Sequence, residues 1–186
     1  DFIPYDRASP SASRMAQRMH TLAALASRPD SDTPRIILTT ANAVLRKLPP
    51  KAVMRQALFA LARGQKLQRD ALVQALLTQG YRRAGKAMEP GEFALRGSIV
   101  DIVPPGMSDG IRIDMFGDDV ESIKPYDPLT QITHGALDSA MLCPVSEVLL
   151  NDASIERFRE SYRDQFGAVA KDDPLYEAVS RGAAYP

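Results

Sequence analysis

The sequence predicts an α+β fold: a strand-rich antiparallel module flanked by pieces of an α/β layer. Three observations predict it. Residues 93–103, 111–116 and 120–123 are runs rich in Val, Ile and Phe, set off by Gly, Pro and Asp. Residues 69–79 place Leu72, Ala75 and Leu76 on one helical face, and Gly80 follows as a stop. Ahead of Pro49-Pro50, a helix, a strand and a helix occur once each, without the repetition that a complete sheet needs.

In order, Ser9-Pro10 reads as a helix start, a Ser cap with Pro at the first helical position. Ala12, Met15, Ala16, Met19, Ala23 and Ala26 continue at helical spacing to about Ser27. A polar loop from Arg28 to Pro34 precedes a buried strand, Arg35–Thr39, and a short helix, Ala41–Leu48. The strands missing from this layer are expected to precede Asp1, since a chain that opens without Met and closes at Pro186 reads as a piece of something larger. Beyond Pro49-Pro50 the spacing predicts a strand over 57–61, the helix over 69–79, and one continuous strand over 93–103. Pro104 to Gly110 is a loop, 111–116 a strand, and Gly117-Asp118-Asp119 a turn into 120–123. Residues 140–142 and 145–150 can add strand. Asn151 or Asp152 opens a helix with Ile155, Phe158, Tyr162 and Phe166 on one side, and Asp173-Pro174 opens another. The divisions are therefore 1–50, 51–144 and 145–186.

Composition narrows the function. The 186 residues include 23 Lys+Arg and 23 Asp+Glu, one Cys and two His. One cysteine excludes a disulfide scaffold and a four-cysteine zinc site. Zero net charge argues against binding nucleic acid over the whole surface. No apolar run is long enough to span a membrane and no signal peptide is visible, so the expected setting is the cytoplasm.

The most tempting motif is Gly80-Tyr81-Arg82-Arg83-Ala84-Gly85-Lys86, literally G-x-x-x-x-G-K. As a phosphate loop it lacks the hydroxyl that would follow the lysine, since Ala87 stands there. It also follows a helix, where a phosphate loop follows a strand, and it carries two bulky arginines. His20 and His134 have no partner at metal-ligand spacing and read as surface or edge residues. Cys143 reads as a small buried hydrophobe, and Asp118-Asp119 as turn chemistry. Asp101, between Val100 and Ile102, reads as an inward carboxylate bonded to backbone or a base, with no catalytic role. No catalytic, cofactor or metal site is expected.

Charge is unevenly placed. Lys51, Arg55, Arg63, Lys66, Arg69, Arg82, Arg83 and Lys86 face a single acid, Asp70, over 51–86. Over 108–130, Asp109, Asp114, Asp118, Asp119, Glu121 and Asp127 face only Arg112 and Lys124. A solvated surface with internal ion pairs and a docking or phosphate-binding face are both open. If 93–103 pairs antiparallel with 111–116, the odd positions form the core face. The even face then carries Arg96, Val100, Ile102, Arg112, Asp114 and Phe116, an interface-like mix of arginine, aromatic and aliphatic groups. A sheet covered on both sides, or a bulge at Gly97, is the competing arrangement.

Several of these residues fall into an ordered set. Pro4-Tyr5-Asp6, Ser9-Pro10, Ile37-Leu38-Thr39-Thr40, Gly64-Gln65-Lys66-Leu67 and Arg69-Asp70-Ala71-Leu72 come first. Gly80-Tyr81-Arg82, Gly91 to Gly97, Asp101 to Pro104, Phe116 to Ile123 and Asp127 to Gln131 follow. Together they resemble the N-terminal, UvrB-like region of bacterial transcription-repair coupling factors (the Mfd family), and the related region of the excision-repair protein UvrB.

The resemblance implies a small UvrB domain-2-like, two-layer module that docks UvrA, interrupting a helicase-like, motor-dead α/β domain. It implies that UvrA-contacting charges fall on Arg83, Arg96, Arg112 and Asp114; the even face and the basic stretch add Arg82, Val100, Ile102 and Phe116 as periphery. UvrB-like proteins carry a further arginine where this chain has Ala94, which favours the coupling factors. RNA polymerase and DNA are expected to be met only through other parts of such a protein, and no membrane or small-molecule substrate is expected. The rival functions are a DNA-contacting module using the basic 51–86 stretch, the equivalent region of UvrB, and a nucleotide hydrolase using the Gly80–Lys86 loop.

Overall fold

Backbone pairing among five strands within residues 82–126 builds the larger of two sheets. The computed structural model describes residues 12–27, 36–167 and 173–183. Its elements are α1 (Ala12–Ser27), α2 (Ala41–Leu45), α3 (Lys51–Gln56), β1 (Phe59–Ala62), α4 (Arg69–Thr78), β2 (Arg82–Arg83), β3 (Glu92–Arg96), β4 (Ile99–Val103), β5 (Gly110–Phe116), β6 (Asp119–Tyr126), β7 (Ser139–Leu142), α5 (Asp152–Phe166) and α6 (Pro174–Ser180). Strands β2 to β6 lie side by side in that order, and β1 pairs antiparallel with β7. The fold is mixed α and β, as expected. The larger sheet is not wholly antiparallel, because β2 runs parallel to β3.

Residues 93–103 are two strands, where the sequence predicted one. Arg96 pairs with Ile99, so Gly97 and Ser98 are a two-residue hairpin loop. Gly97 takes φ +60°, and glycine at the first loop position suits the right-handed twist of the flanking strands. Gly117, at φ +62°, does the same between Phe116 and Asp119. The turn at Gly97 resets the phase of everything after it. Leu95 lies opposite Val100 and Phe93 opposite Ile102, so the core face takes odd residues before the turn and even residues in β4.

That face carries Phe93, Val100, Ile102, Ile111, Ile113, Met115, Val120 and Ile123, all buried. They cluster with Leu72 and Leu76 of α4, Tyr81, and Leu61 and Leu142 of the small sheet. Leu72 and Leu76 are one helical turn apart, which puts both on the covered side of α4. Burying each such side chain contributes about 1.5–3 kcal/mol, so this cluster supplies most of the driving force for the module. Gly80, at φ +86°, ends the helix as predicted. Tyr81 Oη–H then donates to the Cys143 carbonyl at 2.8 Å. Cys143 is buried, as expected, and burial pushes its thiol up to about 11.

The flanks depart further from expectation. Ile36, Ile37 and Leu38 are exposed and have no regular structure, so the predicted buried strand is not formed by those residues. No strand of either sheet pairs with them, and a lone strand leaves its backbone groups without a ladder. Helix α2 stops at Leu45 and not Leu48, α3 was not anticipated, and 145–150 add no strand. Asn151 caps α5 with Ser154 in a reciprocal capping box, and the Asp173 side chain caps α6. Phe158, Tyr162 and Tyr176 stack between these two helices. The predicted helix start at Ser9-Pro10 and the loop from Arg28 to Pro34 lie outside the described residues. Among the described residues, no helix is long and apolar enough to cross a membrane.

Candidate functional site

The site forms on the sheet face opposite the main core. Asp101 lies directly across from Arg112 on β5 and diagonally from Arg96 on β3. Its carboxylate is 1% exposed. Arg112 Nε–H donates to Oδ1 at 2.6 Å and Nη2–H to Oδ2 at 3.0 Å, a two-pronged pair. Arg96 Nη2–H donates to the same Oδ2 at 2.6 Å. Burying a carboxylate is costly unless it is paired and hydrogen-bonded, and here two guanidinium groups satisfy it. One carboxylate against two guanidiniums leaves this three-residue cluster with a net positive charge.

The two arginines are held differently. Arg112 is only 16% exposed at its side chain, against 45% for Arg96. Arg112 also donates Nη1–H to the Gln131 carbonyl at 3.1 Å and lies 4.9 Å over the Tyr126 ring. The hydrogen bond to Asp101 raises its already high pKa further, against the effect of burial. Asp114 shares this face and accepts from Ser98 Oγ–H at 3.0 Å. Phe116 follows two residues later and is 78% exposed.

Arg96, Arg112, Asp114 and Phe116 are thus brought to one face. Val100 and Ile102 are not. Both are fully buried in the core, because the Gly97 turn shifts β4 by one position, and neither can serve as periphery. Arg82 pairs in register with Glu92, on the arginine-bearing face, whereas Arg83 pairs with Phe93 and falls on the other side of the sheet at its edge. Arg82 Nη2–H donates to Glu92 Oε1 at 2.9 Å. Burial opposes the Glu92 charge, but the N–H groups of Glu89 and Met88 and the Arg82 guanidinium outweigh it and hold the carboxyl below the ordinary glutamate value.

Other candidates carry less. Gly80–Lys86 runs from a helix end into β2, the opposite of a phosphate loop's order. His134 Nε2 lies 3.2 Å from Asp109 on the surface. Asp119 pairs with Lys66 at 3.1 Å, and no cluster able to hold a metal occurs among the described residues. The basic stretch is partly neutralised, since Arg63 meets Asp138, Lys66 meets Asp119 and Arg82 meets Glu92. Sequence reasoning made Asp101 an inward carboxylate bonded to backbone or a base, which its two arginines bear out, but did not place it in the docking face, and it overlooked Gln131, Tyr126 and Glu92. A charged residue between Val100 and Ile102 was the visible signal for the first; the others depend on long-range packing.

Comparison with known proteins bears on this arrangement. Residues 59–148 match the family described as the UvrB interaction domain. Over 185 residues the chain is 35% identical to the transcription-repair-coupling factor of Rickettsia bellii, covering 100% of this chain and 16% of that protein. Against the same factor of Escherichia coli it is 31% identical over 180 residues, covering 97% of this chain and 15% of that protein. The UvrABC system protein B of Gemmatimonas aurantiaca is 34% identical over 130 residues, or 70% of this chain and 18% of that protein. The chain spans 15–18% of the length of these relatives. Its strand-rich module belongs to the UvrB interaction domain family, within a stretch homologous from end to end to the transcription-repair-coupling factors.

Proposed function

We propose that this chain is a non-catalytic docking module that binds UvrA, recruiting it to stalled RNA polymerase as part of a transcription-repair coupling factor. The observation that carries the reading is the pair of guanidiniums sharing one buried carboxylate, beside Asp114 and the exposed Phe116. An arginine pair with surplus positive charge is suited to an acidic protein surface through charge-assisted bonds. Arginine and aromatic groups are also the residues that dominate docking energetics. Arg96, Arg112 and Asp114 would form the docking cluster, with Arg82 and Phe116 at its margin and Arg83 reaching it only around the sheet edge. The module would run from about residue 51 to 144, between remnants of a helicase-like domain without motor activity. Contact with RNA polymerase and movement on DNA would belong to other parts of the longer relatives. The ion pairs that neutralise Arg63, Lys66 and Arg82 weigh against the DNA-contacting alternative.

The test is direct binding of the chain to purified UvrA, with duplex DNA as a parallel arm. Arg96→Glu should weaken UvrA binding by about thirtyfold or more, an interface hot spot of about 2 kcal/mol, in a chain that still folds but unfolds at a lower temperature, because Asp101 loses one of its two partners. Unaltered affinity after this charge reversal would falsify the assignment of the face. Strong, salt-sensitive DNA binding would favour the alternative.

A further inference from the structure

We infer that Asp101 is the positioning residue of the docking face, and that it divides the work of the two arginines: Arg112 is the brace and Arg96 the contact. The inference rests on the docking reading above and deepens it. A guanidinium has five N–H donors. Arg112 uses three of them inside the protein, two on Asp101 and one on the Gln131 carbonyl, and its plane is covered by the Tyr126 ring. Arg96 uses one donor, on Asp101 Oδ2, and is the more exposed of the two. Four of its donors remain for a partner carboxylate, enough for a two-pronged bond.

Asp101 does not touch the partner, since it is buried beneath both arginines. It acts by fixing where Arg96 points. A long arginine loses rotamer freedom when it is immobilised at an interface, and holding it beforehand lowers that cost. The same carboxylate lets two like charges lie on one face before any partner arrives. Arg112 in turn holds Asp101 through its two-pronged bond, so the orientation of Arg96 depends on a residue with little surface of its own.

The experiment combines binding to purified UvrA with nuclear magnetic resonance of the arginine Nε–H groups in the same 186-residue chain. In the wild type, the Arg112 Nε–H should be protected from exchange, and it should lose that protection in Asp101→Asn. Asp101→Asn should weaken UvrA binding about tenfold, and by less than about threefold in an Arg96→Ala background, because the residue acts through Arg96. A merely structural role would give equal losses in both backgrounds. Arg112→Lys keeps the charge but not the fork, and should reproduce the tenfold loss. It decides the matter if Asp101→Asn does not fold. Affinity unchanged in Asp101→Asn or Arg112→Lys, while Arg96→Glu abolishes binding, overturns the inference. A wild-type chain that does not bind UvrA overturns it too if its Arg112 Nε–H exchanges freely. A protected Arg112 Nε–H in that sample would place the fault in the docking reading and not in the clamp.

Discussion

The carbonyl of Gln131, whose backbone is held at φ +63°, accepts the Nη1–H of Arg112 at 3.1 Å. Among the described residues Gln131 is alone, outside glycine, in having a positive φ. Its own N–H donates to the Asp127 carbonyl at 2.8 Å, and its side-chain amide donates to the Pro128 carbonyl at 2.7 Å. Those bonds hold a conformation that costs a side-chain-bearing residue about 1–2 kcal/mol. A branched residue fits it worst. Gln131→Val should therefore destabilise the chain by about 2 kcal/mol or more, read from urea unfolding. Gln131→Gly relieves the strain, loses the amide bonds and should stay within about 1 kcal/mol of wild type.

The phase set by the Gly97 turn separates two apolar residues that looked alike in sequence. Ile102 is fully buried, and Ile102→Ala should cost about 2–5 kcal/mol. Phe116 is largely exposed, and Phe116→Ser should change stability by no more than about 0.5 kcal/mol. If the docking reading holds, the second variant alone should weaken UvrA binding while leaving the unfolding curve in place. Calorimetry and a binding titration on the same two samples make the comparison.

Two glycines should respond differently to alanine. A Cβ at Gly110 would lie 2.2 Å from the Tyr126 ring, against a side chain fixed by its bond to the Ala87 carbonyl. Gly110→Ala should destabilise by about 1–3 kcal/mol through overpacking, and it should disturb the ring that covers Arg112. At Gly97 no atom lies within 4 Å, so only the positive φ matters. Gly97→Ala should cost about 1–2 kcal/mol, and Gly97→Asn less, because asparagine tolerates that conformation. Denaturant midpoints would rank the three.

Glu92 gives a pH dependence with a definite sign. Its carboxyl is held below the ordinary glutamate value in the folded chain, so its contribution is complete above that value. The contribution disappears as the pH falls through the lower, folded value. At neutral pH Glu92→Gln should lose about 1–3 kcal/mol, the worth of hydrogen bonds to a charged group. Across the acid window the wild-type advantage should shrink and vanish. Unfolding temperatures of both proteins through that window test it, and a constant difference would contradict the assigned bonds.

The central fold was legible where local chemistry decides. Gly80 stops a helix, Gly117 makes a turn and Asn151 opens a helix, and each works through its own backbone. Gly97 was the costly misreading. With Arg96 before it and β-branched residues after it, the run looked continuous, yet Gly-Ser closes a hairpin there. Moving β4 by one residue sent Val100 and Ile102 inward and brought Asp101 onto the face with Arg96 and Arg112. Those two arginines and Asp114 share one face despite the error, because Arg96 precedes the turn and β5 alternates undisturbed up to the irregularity between Asp114 and Met115. The clamp itself was not legible, since its members come from three strands and a loop. Ile36 to Leu38 had the composition of a core strand, but composition does not supply a neighbour to pair with.

The β1–β7 pairing has a topological consequence. Phe59 lies opposite Leu142 and Ala62 opposite Ser139, so the path into the five-stranded unit and the path out of it run side by side, about 5 Å apart. The chain from Arg63 to Asp138 enters and leaves along that one seam. With entry and exit adjacent, the unit joins the rest of the chain as a side insertion, and its five strands need no further crossing to reach it.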